Sequence, residues 1–309
     1  MRLRLEKRQP LPFGARLALP FVAVAISFAL SFVLILLAQA NPFTVFYYIL
    51  QGALGSRTGL AETAVKATPL VLTGLAAAVA IKARFYNLGG EGQLYLGSLC
   101  AAVLGLRLAI PRPLAVPAIM AAGCAAGAAW ALCAGVLKAR CRVDEAVVTL
   151  LSNYIVICVV SALLDGPLKD PRTMWPNSPP ILDCARYPIL LAGTRLHAGA
   201  LAALAAAAAV RWMMKRSVLG FEIAAVGANP AAAAYAGIPV RRTVVLVSLV
   251  SGGLAGLAGT GEVLGLHYDL VEKLSPNYGY AGIVIAMLGG LDAFGVVCAA
   301  ILFGVLITG

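Results

Sequence analysis

Charged residues are scarce in this chain. Of its 309 residues, 12% are charged and 61% are hydrophobic, with a mean hydropathy of +0.91. A soluble globule of this size needs more polar surface than that, so the composition excludes a soluble protein. The alternating pattern of barrel strands is also missing, whereas long Ala, Leu and Val runs are frequent. The composition therefore predicts an all-α fold, a polytopic transmembrane helical bundle.

The residues that hold metal ions or perform catalysis are equally sparse. The two histidines, His197 and His267, are far apart, and none of the seven cysteines forms a CxxC pair or a Cys/His cluster. The apolar stretches contain neither an HExxH motif nor a Ser/His/Asp set. We therefore expect no metal site, no disulfide and no catalytic residue, and we predict that the chain is not an enzyme.

Several apolar stretches are candidates for spans that cross roughly 30 Å of hydrocarbon. The first follows a basic cluster, and no small-residue cleavage site comes after it. We therefore interpret it as an uncleaved helix with a cytosolic N-terminus, not as a signal peptide. The basic residues ahead of or at its start are Arg2, Arg4, Lys7, Arg8 and Arg16. The predicted spans, about 8 in number, are residues 17–38, 64–81, 93–110, 114–137, 146–164, 197–214, 243–258 and a broken one from 281 to the end.

The formal net charge of +11 is explained by this topology. Alternating the spans from a cytosolic N-terminus puts the basic connections inside, as the positive-inside rule requires, and acidic residues dilute the external ones. The internal basic residues are Lys82 and Arg84, then Lys138, Arg140 and Arg142, then Lys215, Arg216, Arg241 and Arg242. The charge therefore gives no reason to expect a nucleic-acid partner.

A polar, glycine-rich turn with one carboxylate interrupts the apolar pattern at residues 87–93. In lipid, a non-helical segment is tolerated only where protein or a water-filled path satisfies its backbone groups. We therefore predict that the turn lines a translocation path. The alternative is that Glu91 caps the next helix at the cytosolic mouth, near Lys82 and Arg84. The residues assigned to the path here are Asn87, Gly89, Gly90, Glu91 and Gln93.

Two other polar interruptions join the candidate path. Asn153, next to Tyr154, offers a hydrogen-bonding pair that reads a base or hydroxyl, or else joins two helices. Asp292 follows Gly289-Gly290-Leu291 and marks either a discontinuous helix beside the path or a helix end at the cytosolic surface. Both pairs of alternatives stay open.

The internal connection, residues 215–242, specifies a short Ala-rich helix. Asn229 is a good N-cap, Pro230 suits the first helical position, Gly237 suits a left-handed residue after the last turn, and Pro239 blocks continuation. Such a short helix needs a packing partner. Its small residues favour insertion into a groove of another protein over a passive position on the membrane.

The external connection, residues 165–196, is rich in proline, and two interpretations stay open. It is either an ordered loop that plugs the outer face or a docking surface for an external protein. The Gly-rich run from Ser251 to Gly259 is interpreted as close helix packing.

Four segments together resemble the permease subunit of bacterial ABC importers of the nucleoside and simple-sugar branch. The segments are KATPLVLTGLAAAVAIKARFYNLGGEGQLYLGSL (66–99), VDEAVVTLLSNYI (143–155), GFEIAAVGANPAAAAYAGIPVRR (220–242) and YGYAGIVIAMLGGLDAFG (278–295). They follow the family's order over nearly the whole chain, and the EGQ form of the first is more similar to nucleoside-type than to ribose-type permeases.

The resemblance implies a multi-pass subunit of the bacterial inner membrane that translocates a nucleoside-like solute, or else a simple sugar or riboflavin. It also implies the partners: a cytosolic ABC ATPase that carries ATP and Mg, a second permease subunit, an external binding protein, often a lipoprotein, and membrane lipid. No cofactor is expected in this chain. The resemblance makes the internal loop the ATPase-coupling element, with Gly220, Glu222, Gly227, Asn229, Pro230, Tyr235, Gly237 and Ile238.

As domain organisation, the resemblance implies one transmembrane permease domain over residues 1–309, which includes the coupling loop (215–242) and the external loop (165–196). Family members usually continue with further helices, so the chain is expected to be either truncated after Gly309 or unusually short. An alternative of another class is a secondary transporter. Such transporters usually contain internal repeats, and the sequence alone reveals no convincing one.

Overall fold

A computed structural model describes residues 13–141 and 143–309, and these residues are mostly helical. The described residues contain no β-strand, only isolated bridges between Asn177 and Val271 and between Ile189 and His197. The predicted all-α fold is confirmed. Four N-terminal basic residues used for the topology (Arg2, Arg4, Lys7 and Arg8) and Arg142 lie outside the described residues.

The helices are α1 (Phe13–Leu37), α2 (Pro42–Leu54), α3 (Arg57–Lys82), α4 (Gly90–Arg107), α5 (Arg112–Cys141), α6 (Glu145–Asp165), α7 (Gly199–Arg216), α8 (Val218–Ala228), α9 (Pro230–Tyr235), α10 (Val240–Glu262), α11 (Tyr278–Leu288) and α12 (Ala293–Thr308). A short 3-10 helix (Asp183–Ala185) lies in the external loop, and a π-helix (Val263–His267) extends α10.

The chain forms two compact units, one ending at Ile49 and one from Leu50 to Gly309. In the first unit, aromatic rings join α1 to α2: Phe28 meets Phe46 and Phe32 meets Phe43 edge to face, at centroid distances of 5.3 and 5.2 Å. The second unit contains the remaining helices and all the candidate site residues.

Among the described residues, four helices are long and apolar enough to cross a bilayer: α3, α5, α6, and α10 with its π-helical extension. Residues 24–37 and 42–54 are bent by 118° at the break between them and would count as a fifth span. The protein is therefore a multi-pass membrane protein, but a count of eight is not confirmed. The other helices that the sequence predicts as spans are not among these four. Of these, α4 starts with polar residues, α7 ends in a basic turn, and α11 and α12 are short.

Two groups of helices in the second unit pack in a corresponding way. α3 packs against α11 and α12, and α10 packs against α4 and α5. Each long helix is followed by a left-handed residue, Arg84 (φ 54°) after α3 and Tyr268 (φ 62°) after the extension of α10, and then by a non-helical segment. Residues of α3 to α5 and of α10 to α12 thus form an internal repeat, which the sequence analysis missed.

Glycines set the close crossing of α4, α5 and α10. A Cβ built on Gly97 would lie 2.0 Å from the carbonyl oxygen of Gly256, and one on Gly256 would lie 2.4 Å from that of Gly123. Backbones this close leave no room for a side chain, so the interpretation of the Gly-rich run as helix packing is confirmed.

We expect Gly256→Ala to prevent α10 from seating against α5, because the new methyl group would meet backbone atoms that cannot turn aside. Size-exclusion chromatography in detergent should show loss of the monodisperse peak. The control is Gly261→Ala on the same helix, where nothing lies within 4 Å of the added Cβ. Equal behaviour of the two variants would contradict this description of the helix crossing.

Candidate functional site

The segment between α3 and α4 turns back into the helical unit. Asn87 donates a hydrogen bond of 2.9 Å to the hydroxyl of Ser251, which donates one of 2.8 Å to the carbonyl of Ala76. Ala76 lies about 9 Å before the end of α3, at 1.5 Å per residue. Residues 83–89 therefore re-enter the molecule, and α4 begins well inside it; we name residues 83–89 the re-entrant segment.

One face of α6 satisfies the backbone of the re-entrant segment. Glu145, Thr149 and Asn153 are spaced four residues apart, so all three side chains point the same way, and all three are buried. Glu145 accepts from the Tyr86 N–H at 3.0 Å, and the Thr149 hydroxyl accepts from the Leu88 N–H at 3.0 Å. We name these three α6 side chains the polar ladder.

Asn153 is the innermost member of the polar ladder and bonds on both sides of the start of α4. Its Nδ2 donates to the carbonyl of Leu88 at 2.8 Å, and its Oδ1 accepts from the N–H of Gly92 at 2.9 Å. Gly92 N–H lies in the first turn, where a helix has no partner of its own. Of the two interpretations of Asn153, the structure thus favours the joining of helices.

At the start of α6, the polar ladder includes an ion pair. Lys138 on α5 forms a short ion pair with Glu145 and donates a 2.8 Å hydrogen bond to the carbonyl of Arg84. The sequence analysis missed Lys138, Glu145 and Thr149 as site residues. The signal was present, because polar residues at positions i, i+4 and i+8 of an apolar helix predict a buried polar face.

Two residues assigned to the path form a closed amide pair. Asn87 Nδ2 donates to Gln93 Oε1, and Gln93 Nε2 donates to Asn87 Oδ1, both at 2.9 Å. Both side chains are buried. Gly89 lies against this pair, since a Cβ on Gly89 would be 2.8 Å from Gln93 Nε2. The pair fastens the re-entrant segment, and a role in the path remains a prediction for these residues.

Glu91 lies where α4 and α11 begin. Its Oε2 accepts from the N–H of Gly279 at 2.7 Å. The hydroxyl of Ser275 accepts from the backbone N–H of Tyr278 at 2.9 Å. Gly90 and Gly279 bring the backbones together, because a Cβ on Gly279 would lie 2.3 Å from Glu91 N. The buried Glu91 side chain thus joins the first turns of two helices, α4 and α11.

A repeated sequence pattern underlies this meeting point. Asn-x-Gly-x-x-Gly occurs at residues 87–92 and again at 277–282, each time where a helix of the internal repeat begins. Gly282 of the second copy packs against Thr73, with a Cβ distance of 2.6 Å to its backbone. This pattern is the signal that would have revealed the repeat and Asn277 from sequence.

Asp292 lies apart from the other predicted path residues. It accepts from the Phe294 N–H at 3.1 Å and pairs with Arg211 at 3.1 Å and Lys215 at 4.0 Å. Lys82 donates to the neighbouring carbonyl of Leu291 at 3.4 Å. Asp292 therefore starts α12 among the basic residues at the ends of α3 and α7, which favours the surface interpretation.

The internal loop folds as predicted around its short helix. Asn229 Oδ1 accepts from the N–H groups of Ala231 and Ala232, Pro230 is the first helical residue, and Gly237 has φ +83°. α8 precedes this helix. The local prediction of helix start and stop is confirmed.

The remaining coupling candidates attach the loop to the helical unit. A Cβ on Gly220 would lie 2.4 Å from the carbonyl of Met213, and one on Gly227 would lie 1.9 Å from that of Lys82. Glu222 accepts from the hydroxyl of Thr243 at 3.1 Å, whereas Ile238 donates to Ala233 within the loop itself, at the end of α9. Through Gly227, α8 rests on the end of α3, where the re-entrant segment begins.

The external loop is ordered and bonded to the segment after α10. Ser178 donates to Leu270, Ile181 to Tyr268 and Tyr187 to Leu264, all by backbone hydrogen bonds of 2.8 to 2.9 Å. Burial raises the pKa of the Tyr187 hydroxyl.

At the far end of the loop, Arg195 makes two hydrogen bonds of 2.8 Å to Glu62, and this pairing raises the pKa of the Arg195 guanidinium. The loop is therefore attached in its middle and at its far end, as the plug interpretation requires. Its tip still exposes Met174 and Trp175, so docking of an external protein stays open.

Comparison with known proteins decides the family. Residues 59–309 match the family described as branched-chain amino acid transport system / permease component. The chain belongs to this permease family. As a member, it is a subunit of transport machinery, as the resemblance implied. No solved structure matches the chain significantly.

Three of the curated relatives are named as ABC transporter permease proteins. The chain is 33% identical over 318 positions to the glucose ABC transporter permease protein TsgB13 of Haloferax volcanii, covering 99% of this chain and 83% of that one. It is 35% identical to the guanosine permease protein NupP of Bacillus subtilis (94% and 84% covered). It is 30% identical to the nucleoside permease protein NupB of Lactococcus lactis (95% and 84% covered).

We expect Asn153→Leu to destabilise the protein, because it leaves the Leu88 carbonyl and the Gly92 N–H without partners inside the bundle, at about 1 to 3 kcal/mol each. Thermal unfolding in detergent should show a midpoint lower by several degrees. Ser152→Ala is the matched control, since the Ser152 hydroxyl bonds only the Thr149 carbonyl of its own helix. A wild-type midpoint for Asn153→Leu would show that the polar ladder does not hold the segment.

Proposed function

We propose that this chain is the permease subunit of an ATP-driven importer in the bacterial inner membrane that carries a nucleoside-like solute. Family membership and the names of the guanosine and nucleoside permeases support this proposal. A simple sugar is the first alternative, because the relative TsgB13 is named for glucose. Riboflavin is a second alternative, because the relative RfuC is named as a probable riboflavin import permease. A second permease, a cytosolic ABC ATPase and an external binding protein complete the importer, and ATP and Mg bind to the ATPase, with no cofactor in this chain.

The observation that carries the proposal is the apolar surface of the internal loop. Tyr235 is 97% exposed, Phe221 68% and Val218 75%, although the loop is rigidly capped and anchored. Large apolar side chains exposed on ordered helices beside basic residues are typical of a protein interface. The groove of a cytosolic ATPase is the surface that fits them. We therefore assign α8 and α9 to ATPase coupling, with the eight residues predicted from the sequence.

The same proposal gives the topology. The N-terminus and residues 215–242 are cytosolic, residues 165–196 are external, and about eight spans form one permease domain. α4, α11 and α12 count as spans in this scheme because they lie against other helices, which satisfy groups that lipid would not. The external loop then receives the binding protein at its tip.

For the predicted path residues, we propose three kinds of role. Asn87, Gly89, Gly90, Gln93 and Asn153 keep the re-entrant segment in place, and Glu91 joins the first turn of α4 to that of α11. Asp292 fixes the start of α12 at the cytosolic side. In this proposal the path depends on these residues for its shape.

The energy source separates this proposal from a secondary transporter. The sequence analysis argued against a secondary transporter because it found no internal repeat, and the repeat in the structure removes that argument. The energy source must therefore be tested by experiment. Proteoliposomes containing the complete complex should take up guanosine only with ATP on the ATPase side and binding protein on the other, and a protonophore should not reduce uptake. Unlabelled guanosine should compete better than glucose or riboflavin. Uptake driven by an ion gradient without ATP would contradict the proposal.

We expect Gly237→Val to uncouple ATP hydrolysis from uptake while the protein still assembles. Space is not the obstacle, because nothing lies within 4 Å of an added Cβ; the strain comes from a β-branched residue at φ +83°. Asn tolerates that conformation, so Gly237→Asn is the matched control and should keep its activity. Solute-stimulated ATPase activity and uptake are measured together. Normal uptake by the Val variant would remove support for the coupling role.

A further inference from the structure

A row of polar side chains crosses an otherwise apolar outer surface between α6 and α11. Ser161 on α6 donates to Glu272 at 2.9 Å, and Asn153 donates to the hydroxyl of Tyr280 at 2.9 Å. Tyr154, beside Asn153, is 60% exposed, and Asn277 is also exposed. We name six residues the polar seam, of which Asn153 is buried beneath the surface and bonds Tyr280 from below: Asn153, Tyr154, Ser161, Glu272, Asn277 and Tyr280.

The polar seam reaches the middle of the membrane. α11 has 11 residues and ends next to the basic cluster around Asp292, so its start lies about 16 Å from that cluster. Half of a hydrocarbon layer of roughly 30 Å is about 15 Å. Asn277 and Tyr280 therefore lie near mid-depth, and Glu272 and Ser161 lie nearer the outside.

Toward the cytosolic side, the same surface becomes apolar. Val147 and Leu151 on α6 and Val284 and Met287 on α11 are all more than half exposed. The polar seam thus lies in the outer half of this surface, beside exposed apolar side chains such as Ile155 and Val159, and the inner half is apolar. A hydrophobic constriction below a polar vestibule is one way in which pores close to water and solute.

Lipid does not explain the polar seam. Amide and carboxylate groups exposed to hydrocarbon are costly, and such groups in membrane segments almost always face protein or a water-filled cavity. Inside the helical unit, Asn87 and Gln93 use their amides on each other and on Ser251. On the outer surface between α6 and α11, the side chains of Tyr154 and Asn277 are exposed and can reach a solute.

We infer that the solute crosses along the polar seam, and that Asn277, Tyr280 and Tyr154 contact it. The inference rests on the proposed function and adds the location of the path. The amide and hydroxyl groups suit a neutral solute with several hydrogen-bonding groups, and the tyrosine rings suit a planar base. The seam fits a nucleoside better than a charged solute, because Glu272 is its only ionisable carboxylate and is already bonded to Ser161.

The backbone of Asn277 allows a clean substitution. Its φ is +66°, a conformation that glycine adopts without strain. Asn277→Gly removes the amide group and keeps the turn. It should raise the KM for guanosine uptake about fivefold, the effect of one lost hydrogen bond. Tyr280→Phe, which loses only a hydroxyl, should also raise KM. Unchanged KM in both variants would overturn the inference.

Thiol accessibility tests the same inference without measuring transport. Tyr154→Cys and Ala208→Cys are compared in complexes whose exposed native cysteines (Cys133, Cys141, Cys158 and Cys298) are replaced by serine. Ala208 is exposed at a similar depth on α7, away from the seam. A charged thiosulfonate added outside should modify Tyr154→Cys at least about tenfold faster, because thiolates form in water and not in lipid.

Guanosine with binding protein should slow the modification at position 154. Equal rates at the two positions, or no protection by guanosine, would overturn the inference. If the parent complex takes up guanosine with ATP while these tests fail, the path lies elsewhere and the proposed function stands. If the parent complex shows no ATP-driven uptake, the proposed function fails, whatever the labelling rates show.

Discussion

The structure of the second unit depends on where the backbone hydrogen bonds of the re-entrant segment go. Inside a membrane protein, an unpaired peptide group costs several kcal/mol. The polar ladder on α6 bonds Tyr86, Leu88 and Gly92, and Lys138 bonds Arg84. Because these partners exist, α4 can begin inside the bundle. Its first turn then meets that of α11 at Glu91 and Gly279.

This arrangement connects the two sides of the protein. The re-entrant segment starts at the end of α3, where Gly227 of the internal loop rests on Lys82. It ends at Gly89, where α4 begins. In the first turn of α4, Gly92 is bonded to Asn153, and Asn153 also bonds Tyr280. In the proposed coupling mechanism, a displacement of the internal loop would be transmitted to the stretch of chain that positions the polar seam. Contacts of this kind are what a permease needs if an ATPase is to change its conformation.

Much of this could be predicted from local sequence. The apolar stretches coincide with helices, and Asn229, Pro230 and Gly237 act as predicted, because capping depends on residues close in the chain. The roles of the polar residues assigned to the path could not be decided from the sequence, for a physical reason. A polar residue in an apolar stretch looks the same whether it bonds another helix, as Asn87 does, or lies open at the surface, as Asn277 does. Only the packing of α6 and α10 against the re-entrant segment separates these cases, and those contacts join residues far apart in sequence.

The most direct test of the account is amide hydrogen exchange of the assembled complex in lipid nanodiscs. Peptides covering Tyr86, Leu88 and Gly92 should exchange as slowly as the buried middle of α3, around Leu75, because their N–H groups are bonded to protein. The exposed tip of the external loop at Met174 should exchange quickly. Exchange of the re-entrant segment as fast as that of the Met174 tip would contradict the central claim, since water would then satisfy the segment in place of α6.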